Sequence, residues 1–106
     1  IAAGIKVLAK RGGISLKDIE KVYLAGGFGT YINIDSALNI GLIPPELTGR
    51  VETIGNAAGI GAIEVLLSKD LLETAEIIKK RIQYIELSAC REFNDFFIDS
   101  MMFGEE

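Results

Sequence analysis

Apolar residues recur along the chain in short blocks, and the blocks change period as they go. Ile1, Ile5 and Leu8 fall at helical spacing, with Lys6, Lys10 and Arg11 between them, so the first segment reads as an amphipathic helix. Basic residues at its end suit the negative pole of the helix dipole, and Gly12-Gly13 stops it. Ser15-Leu16-Lys17-Asp18 resembles a capping box with Asp in the usual Glu place, which predicts a short helical turn. The uninterrupted run Lys21 to Ala25 then predicts a short buried strand, followed by the glycine loop Gly26-Gly27-Phe28-Gly29. Ile34, Ala37, Leu38 and Leu42 return to helical spacing, with Asn33 or Asp35 as cap and Gly41 as terminator. Pro44-Pro45 marks a turn and the start of another short helical turn through Leu47.

The second half repeats this order. Val51 to Ile54 predicts a strand, Gly55-Asn56-Ala57-Ala58-Gly59 a tight turn, and Ile60, Ile63, Val65, Leu66 and Leu67 an apolar helix. Ser68 caps the next helix, in which Leu71, Ala75, Ile78 and Ile82 form a stripe. Tyr84 to Leu87 predicts a third strand, and Phe93, Phe96, Phe97 and Met101 lie on a final helix. Strands that alternate with helices imply an α/β fold with a short, mostly parallel sheet and flanking helices.

Composition narrows the class. With 106 residues, 49% hydrophobic and 25% charged, the chain fits one domain and can fill a core. Its mean hydropathy of +0.33 is somewhat high for a free-standing domain, which points to apolar surface facing a missing lobe. Ile1 already lies inside an amphipathic pattern, so we expect a longer protein that extends upstream. The longest uncharged stretch, Val22 to Ile34, is broken by three glycines. A membrane span needs about 20 apolar residues, so none is expected, and there is no signal-peptide pattern. A net charge of -4 with interspersed signs argues against nucleic-acid binding. The single cysteine, Cys90, makes no internal disulfide and no iron–sulfur cage by itself, and suits a reducing, cytoplasmic setting. No histidine is present, which excludes imidazole acid–base chemistry within these residues.

The chemistry therefore rests on two glycine turns. In an open α/β sheet, ligands lie beyond the carboxyl ends of the strands, which is where both turns fall. Glycine there permits positive φ and lets a base, ribose or phosphate lie against bare backbone. The turns match neither common phosphate motif. No Gly-Lys-Ser/Thr follows, and Ile32 and Glu64 stand where a dinucleotide fingerprint needs glycine or alanine. The order strand, Gly-Gly, short loop, helix instead resembles the adenosine motif in the second lobe of the actin and hexokinase superfamily of two-lobed ATPases, which have an RNase H-like fold.

Longer strings sharpen this. KVYLAGGFGTYIN at 21–33, ALNIGLIP at 37–44, IGNAAGIGA at 54–62 and YIELS at 84–88 occur in order. Together they closely resemble the C-terminal region of the ATP-dependent reductive activators of corrinoid proteins. The resemblance implies that residues 1–106 are the C-terminal portion of an actin-like ATPase domain in a longer iron–sulfur protein. Such a protein returns Co(II) corrinoid protein to Co(I) for methyl transfer, using ATP and Mg, with the corrinoid protein as partner; a homodimer is compatible with the family. It also implies iron–sulfur centres, of ferredoxin type, outside this segment. Carried over by position, Gly26, Gly27 and Gly29 belong to the adenosine loop, with Phe28 beside the base. Gly55, Asn56 and Ala57 border the same cleft. No cysteine cluster, phosphate-gripping hairpin or Mg-binding acid accompanies them, so the segment alone is expected to be inactive.

Plainer readings stand beside these. Gly26-Gly27 also serves as a structural turn, Gly29 as a turn residue rather than a contact, Gly55-Asn56 as a strand end and helix cap, and Phe28 as packing. Asp35 reads as a cap, Glu64 as a surface charge and Cys90 as an ordinary small residue. The group Phe93, Phe96, Phe97, Met101, Met102 and Phe103 reads as core packing, with a docking face as the alternative. Two other functions remain open: another ATPase of the superfamily, such as a dehydratase activator or small-molecule kinase, and a non-catalytic interaction domain of the same fold.

Overall fold

The computed structural model describes residues 1–102, so Phe103 lies outside the described residues. Among the described residues, two parallel strands, β1 (Val22–Ala25) and β2 (Val51–Gly55), form the sheet, and six α-helices flank it. The expected α/β class with parallel pairing is borne out.

α1 (Ala2–Gly12) ends as its sequence predicts. Gly13 adopts φ 68°, ψ 25°, and the N–H groups of Gly13 and Ile14 close onto the last carbonyls. Its buried face differs from the expected one: Ala2, Ala3, Val7 and Ala9 are buried, while Ile1 and Leu8 are exposed. The small residues face inward because α6 (Arg91–Asp99) lies close against this helix. Lys10 and Arg11 both reach Glu92 on α6, at 3.1 and 3.6 Å. Buried Cys90 sits at the same junction, 3.6 Å from Arg11 Nη2. Phe93 and Phe96 are half-buried, and Phe93 stacks on Phe97 at 5.9 Å. The aromatic face is thus only partly used as core.

The turn at Ser15 forms as predicted. Lys17 N–H donates to Ser15 Oγ and Ser15 N–H to Asp18 Oδ2, which satisfies two N–H donors at the start of a one-turn 3-10 helix. Arg50 then fixes the entry to β1. Its Nη1 donates to the Lys17 and Ile19 carbonyls at 2.7 and 2.6 Å, and its own carbonyl accepts from Val22 N–H. This long-range clamp sets the register, in which Val22 pairs with Val51.

α3 (Ile34–Asn39) is capped by Asn33, whose Oδ1 accepts from Ser36 N–H at 2.8 Å. It ends at Asn39, with Gly41 as the terminator that the sequence predicts, and Leu42 lies outside it. Gly41, with φ 73°, turns the chain so that Leu42 folds back under the sheet. Ala37, Ile43 and Leu47 form the buried centre there, covered by Val22, Leu24 and Val51 from the strands.

α4 (Ala57–Leu67) and α5 (Lys69–Arg81) make a tight hairpin. Ser68 joins them, and its Oγ accepts from Leu71 N–H. The predicted third strand does not form among the described residues. Tyr84 to Glu86 take no regular secondary structure, because no strand lies beside them to supply hydrogen bonds. Glu86 instead accepts from the Tyr84 and Ser88 hydroxyls, each at 2.5 Å. These bonds hold its carboxyl below the usual carboxylate range, with the Ser88 bond the larger cause.

Candidate functional site

The two glycine turns meet. β1 and β2 are adjacent and parallel, and Ala25 pairs with Gly55 at their carboxyl ends. The register shifts between Leu24 and Ala25: Leu24 faces Thr53, Ala25 faces Gly55, and Ile54 is the extra residue. Bulges are uncommon in parallel pairs and occur next to ligand sites, where they redirect the backbone. This one carries Gly55 (φ 63°) to the level of Ala25, the residue just before Gly26 (φ 75°). Both turns thus use backbone conformations that side-chain-bearing residues avoid.

The segment after β1 is not the loop that the glycines suggest. Gly26 makes the whole turn at one residue, so α2 (Gly26–Tyr31) begins at once. Three glycines in a helix are unfavourable by propensity, and each has a separate local reason to be there. Gly29 is buried, and a Cβ on it would lie 2.5 Å from the Leu24 carbonyl oxygen. Its bare backbone lets α2 rest directly on β1. Gly27 is the opposite: a Cβ there meets nothing within 4 Å. It opens onto a shallow concavity of about 530 Å³ lined by Gly27, Phe28, Tyr31 and Ile32. Phe28 is 56% exposed and Tyr31 90%, so two aromatic rings border this space with their faces largely free.

Across the strand ends, Asn56 caps α4. Its Oδ1 accepts from Gly59 N–H at 3.0 Å, and a Cβ at Gly59 would collide with the Asn56 amide. Gly59, which follows from this cap, is a residue sequence reasoning passed over. An Asn followed three positions later by Gly at a strand-to-helix turn is the signal that could have found it. Ala57 is half-buried at the first position of α4.

Of the seven residues singled out from sequence, Gly27 and Phe28 border the open space, Gly26 makes the turn just before them, and Gly55 pairs with Ala25 on the neighbouring strand. Gly29 lies beneath, Asn56 holds α4, and Ala57 starts that helix. Asp35 sits in the first turn of α3, and Glu64 is exposed on α4. Lys21, paired with Glu52 at 3.2 Å, has its ammonium pKa raised first by that hydrogen bond. Among the described residues no group of three or more His, Cys, Asp or Glu could hold a metal. A cluster of ferredoxin type needs several thiolates, and one cysteine cannot supply them.

Fold and site geometry define an α/β chain in which two neighbouring parallel strands end in bare glycine backbone. The chain belongs to the family described as the C-terminal domain of RACo, the ASKHA domain, which matches residues 1–106. It is 36% identical over 105 residues to the corrinoid activation enzyme RamQ of Eubacterium limosum, covering 99% of this chain and 18% of that protein. It is 27% identical over 100 residues to a Co(II) methylated amine-specific corrinoid protein reductase of Methanosarcina barkeri, covering 92% and 18%. A solved reductive activator for corrinoid, iron–sulfur protein superposes with a TM-score of 0.78 at 34% identity, over 92% of this chain and 16% of that one. The chain thus spans less than a fifth of the length of these relatives.

Proposed function

We propose that this chain is the C-terminal portion of the actin-like ATPase domain of a reductive activator, which returns Co(II) corrinoid protein to Co(I) at the expense of ATP. Within it, the chain contributes the adenosine side of the nucleotide cleft. The observation that carries this reading is that two neighbouring parallel strands, paired at Ala25 and Gly55, end in glycine turns at positive φ (Gly26 and Gly55), beside an open Gly27.

The residues fit a nucleoside. A flat base needs an apolar face and bare backbone, and the Gly27 concavity offers both. Gly27 and Phe28 would flank the base, with Tyr31 at its rim. Gly26, Gly55, Asn56 and Ala57 would border the cleft from the two strand ends. Gly29 would act beneath the site, holding α2 at the height that sets the floor. Mg-ATP, when bound, supplies the free energy for a conformational step that makes an uphill electron transfer feasible. Phosphate and Mg ligands and the iron–sulfur centres belong to the remainder of the protein in this reading, and its partner is a corrinoid protein. That three relatives carry corrinoid activation or reduction in their names supports the assignment.

The complete protein, given reductant and Mg-ATP, is expected to restore the Co(I) absorbance of an inactivated corrinoid protein. Reactivation that proceeds equally well without ATP, or fails with it, contradicts the proposal.

A further inference from the structure

A cavity of about 470 Å³ lies where α1, α6 and the chain after α3 come together. It shares no residue with the concavity beside Gly27. Leu38, Pro44 and Pro45 give it apolar walls, and the proline rings hold part of that wall at fixed φ. Its polar side chains come from different elements: Lys6 from α1, and Asp99 and Ser100 from the end of α6. Each has an unmet demand. The ion pairs of the described residues involve Lys10, Arg11 and Lys21, so neither Lys6 nor Asp99 has a charged partner among them. Ser100 Oγ is enclosed and has no hydrogen-bond partner among the described residues, although buried polar atoms are nearly always paired. α6 also ends without a basic residue in its last turn, so its final carbonyls add to the negative charge of Asp99. One cavity thus combines a cation on one helix with a carboxylate and a helix C-terminus on another, beside an apolar wall.

We propose that this cavity binds a small zwitterion with an apolar body, of the class of the apolar α-amino acids. Its carboxylate meets Lys6, and its ammonium meets Asp99 and the carbonyl end of α6. Its side chain lies against Leu38, Pro44 and Pro45, and Ser100 Oγ gains the partner it lacks. Other ligand classes suit the cavity less well. Asp99 and the end of α6 repel a simple anion, and Lys6 repels a simple cation. A purely apolar ligand covers the polar groups without pairing them, which costs their hydration and returns nothing. The volume lies within the range of small-molecule sites, about 300–1,000 Å³. The inference rests on this cavity alone, independently of the family and of the nucleotide reading.

Titration calorimetry of L-leucine and L-phenylalanine into the complete protein tests it, each compared with its decarboxylated amine and its N-acetyl form. At least one of the two amino acids should bind with a dissociation constant of about 1 mM or tighter. Removing its carboxylate or its ammonium should weaken binding at least about tenfold. Lys6→Gln and Asp99→Asn should each weaken the same amino acid by a similar factor at unchanged melting temperature, while Glu73→Gln on α5 leaves its affinity unchanged. The comparison among ligands uses the unmodified protein, so it stands whatever a variant does to the fold. No binding of either amino acid at about 10 mM, equal binding of the amine or the N-acetyl form, or unchanged affinity in either cavity variant overturns the proposal.

Discussion

Gly27 and Gly29 stand two residues apart in one short helix, and the structure demands opposite things of them. A methyl group at Gly29 would press into the Leu24 carbonyl, a backbone atom that can move only if β1 moves. Gly29→Ala is therefore expected to destabilise the complete protein by about 1–3 kcal/mol, the usual range for overpacking. Gly27→Ala meets open space and reduces the freedom of the unfolded chain, so it should be neutral or stabilising by up to about 1 kcal/mol. Denaturant titrations of both variants check the contrast, and equal effects would contradict the packing described for α2. The glycine string itself was legible in the sequence. The separate task of each glycine was not, because it depends on where the Leu24 carbonyl lies relative to the next turn of chain.

Caps and termini carry most of what could be read at the scale of elements. Ser15, Asn33, Asn56 and Ser68 each accept a backbone N–H at a predicted helix start. Asn56→Ala should cost about 1 kcal/mol through loss of the α4 cap, readable as a lower melting temperature. The predicted strands at 21–25 and 51–54 are short apolar runs that end in glycine, and both form, the second one residue longer. Misreadings arose where the decisive partner is distant in sequence. Tyr84 to Leu87 has strand composition, but pairing is a property of two segments. Leu8 looked like core because periodicity gives a face without saying which side of it α6 occupies.

The α1–α6 contact adds a pH dependence. Lys10, by hydrogen bonding and charge, and then Arg11 hold the Glu92 carboxyl below its ordinary pKa. A depressed folded-state pKa stabilises above the unfolded value, and that stabilisation fades as pH falls through the folded one. The melting temperature of Glu92→Gln should therefore lie below that of the unmodified protein near neutrality, and the two should converge in acid. Parallel curves down to the lowest pH would contradict this role.

At the scale of the whole molecule, the chain is more extended than its length requires. Its radius of gyration is 16.1 Å, against about 13 Å for a compact domain of 100 residues. Its sheet has two strands among the described residues, and the α4–α5 hairpin leaves large apolar side chains exposed. Mean hydropathy hinted at this in the sequence, but only side-chain exposure locates the excess on α4 and α5. Among the described residues no helix is long and apolar enough to cross a membrane.

In the proposed function, Gly27 leaves room for adenosine. Titration calorimetry of Mg-ATP into the complete protein, unmodified and as Gly27→Val, tests it most directly. Valine should fold normally, since a Cβ at this position is free, and its branches should fill the concavity. The unmodified protein should give a binding isotherm, and a variant of unchanged melting temperature should lose it, by at least about a hundredfold in affinity or roughly 2.7 kcal/mol. Equal affinity in the two proteins would contradict it and return Gly26-Gly27 to the status of a structural turn.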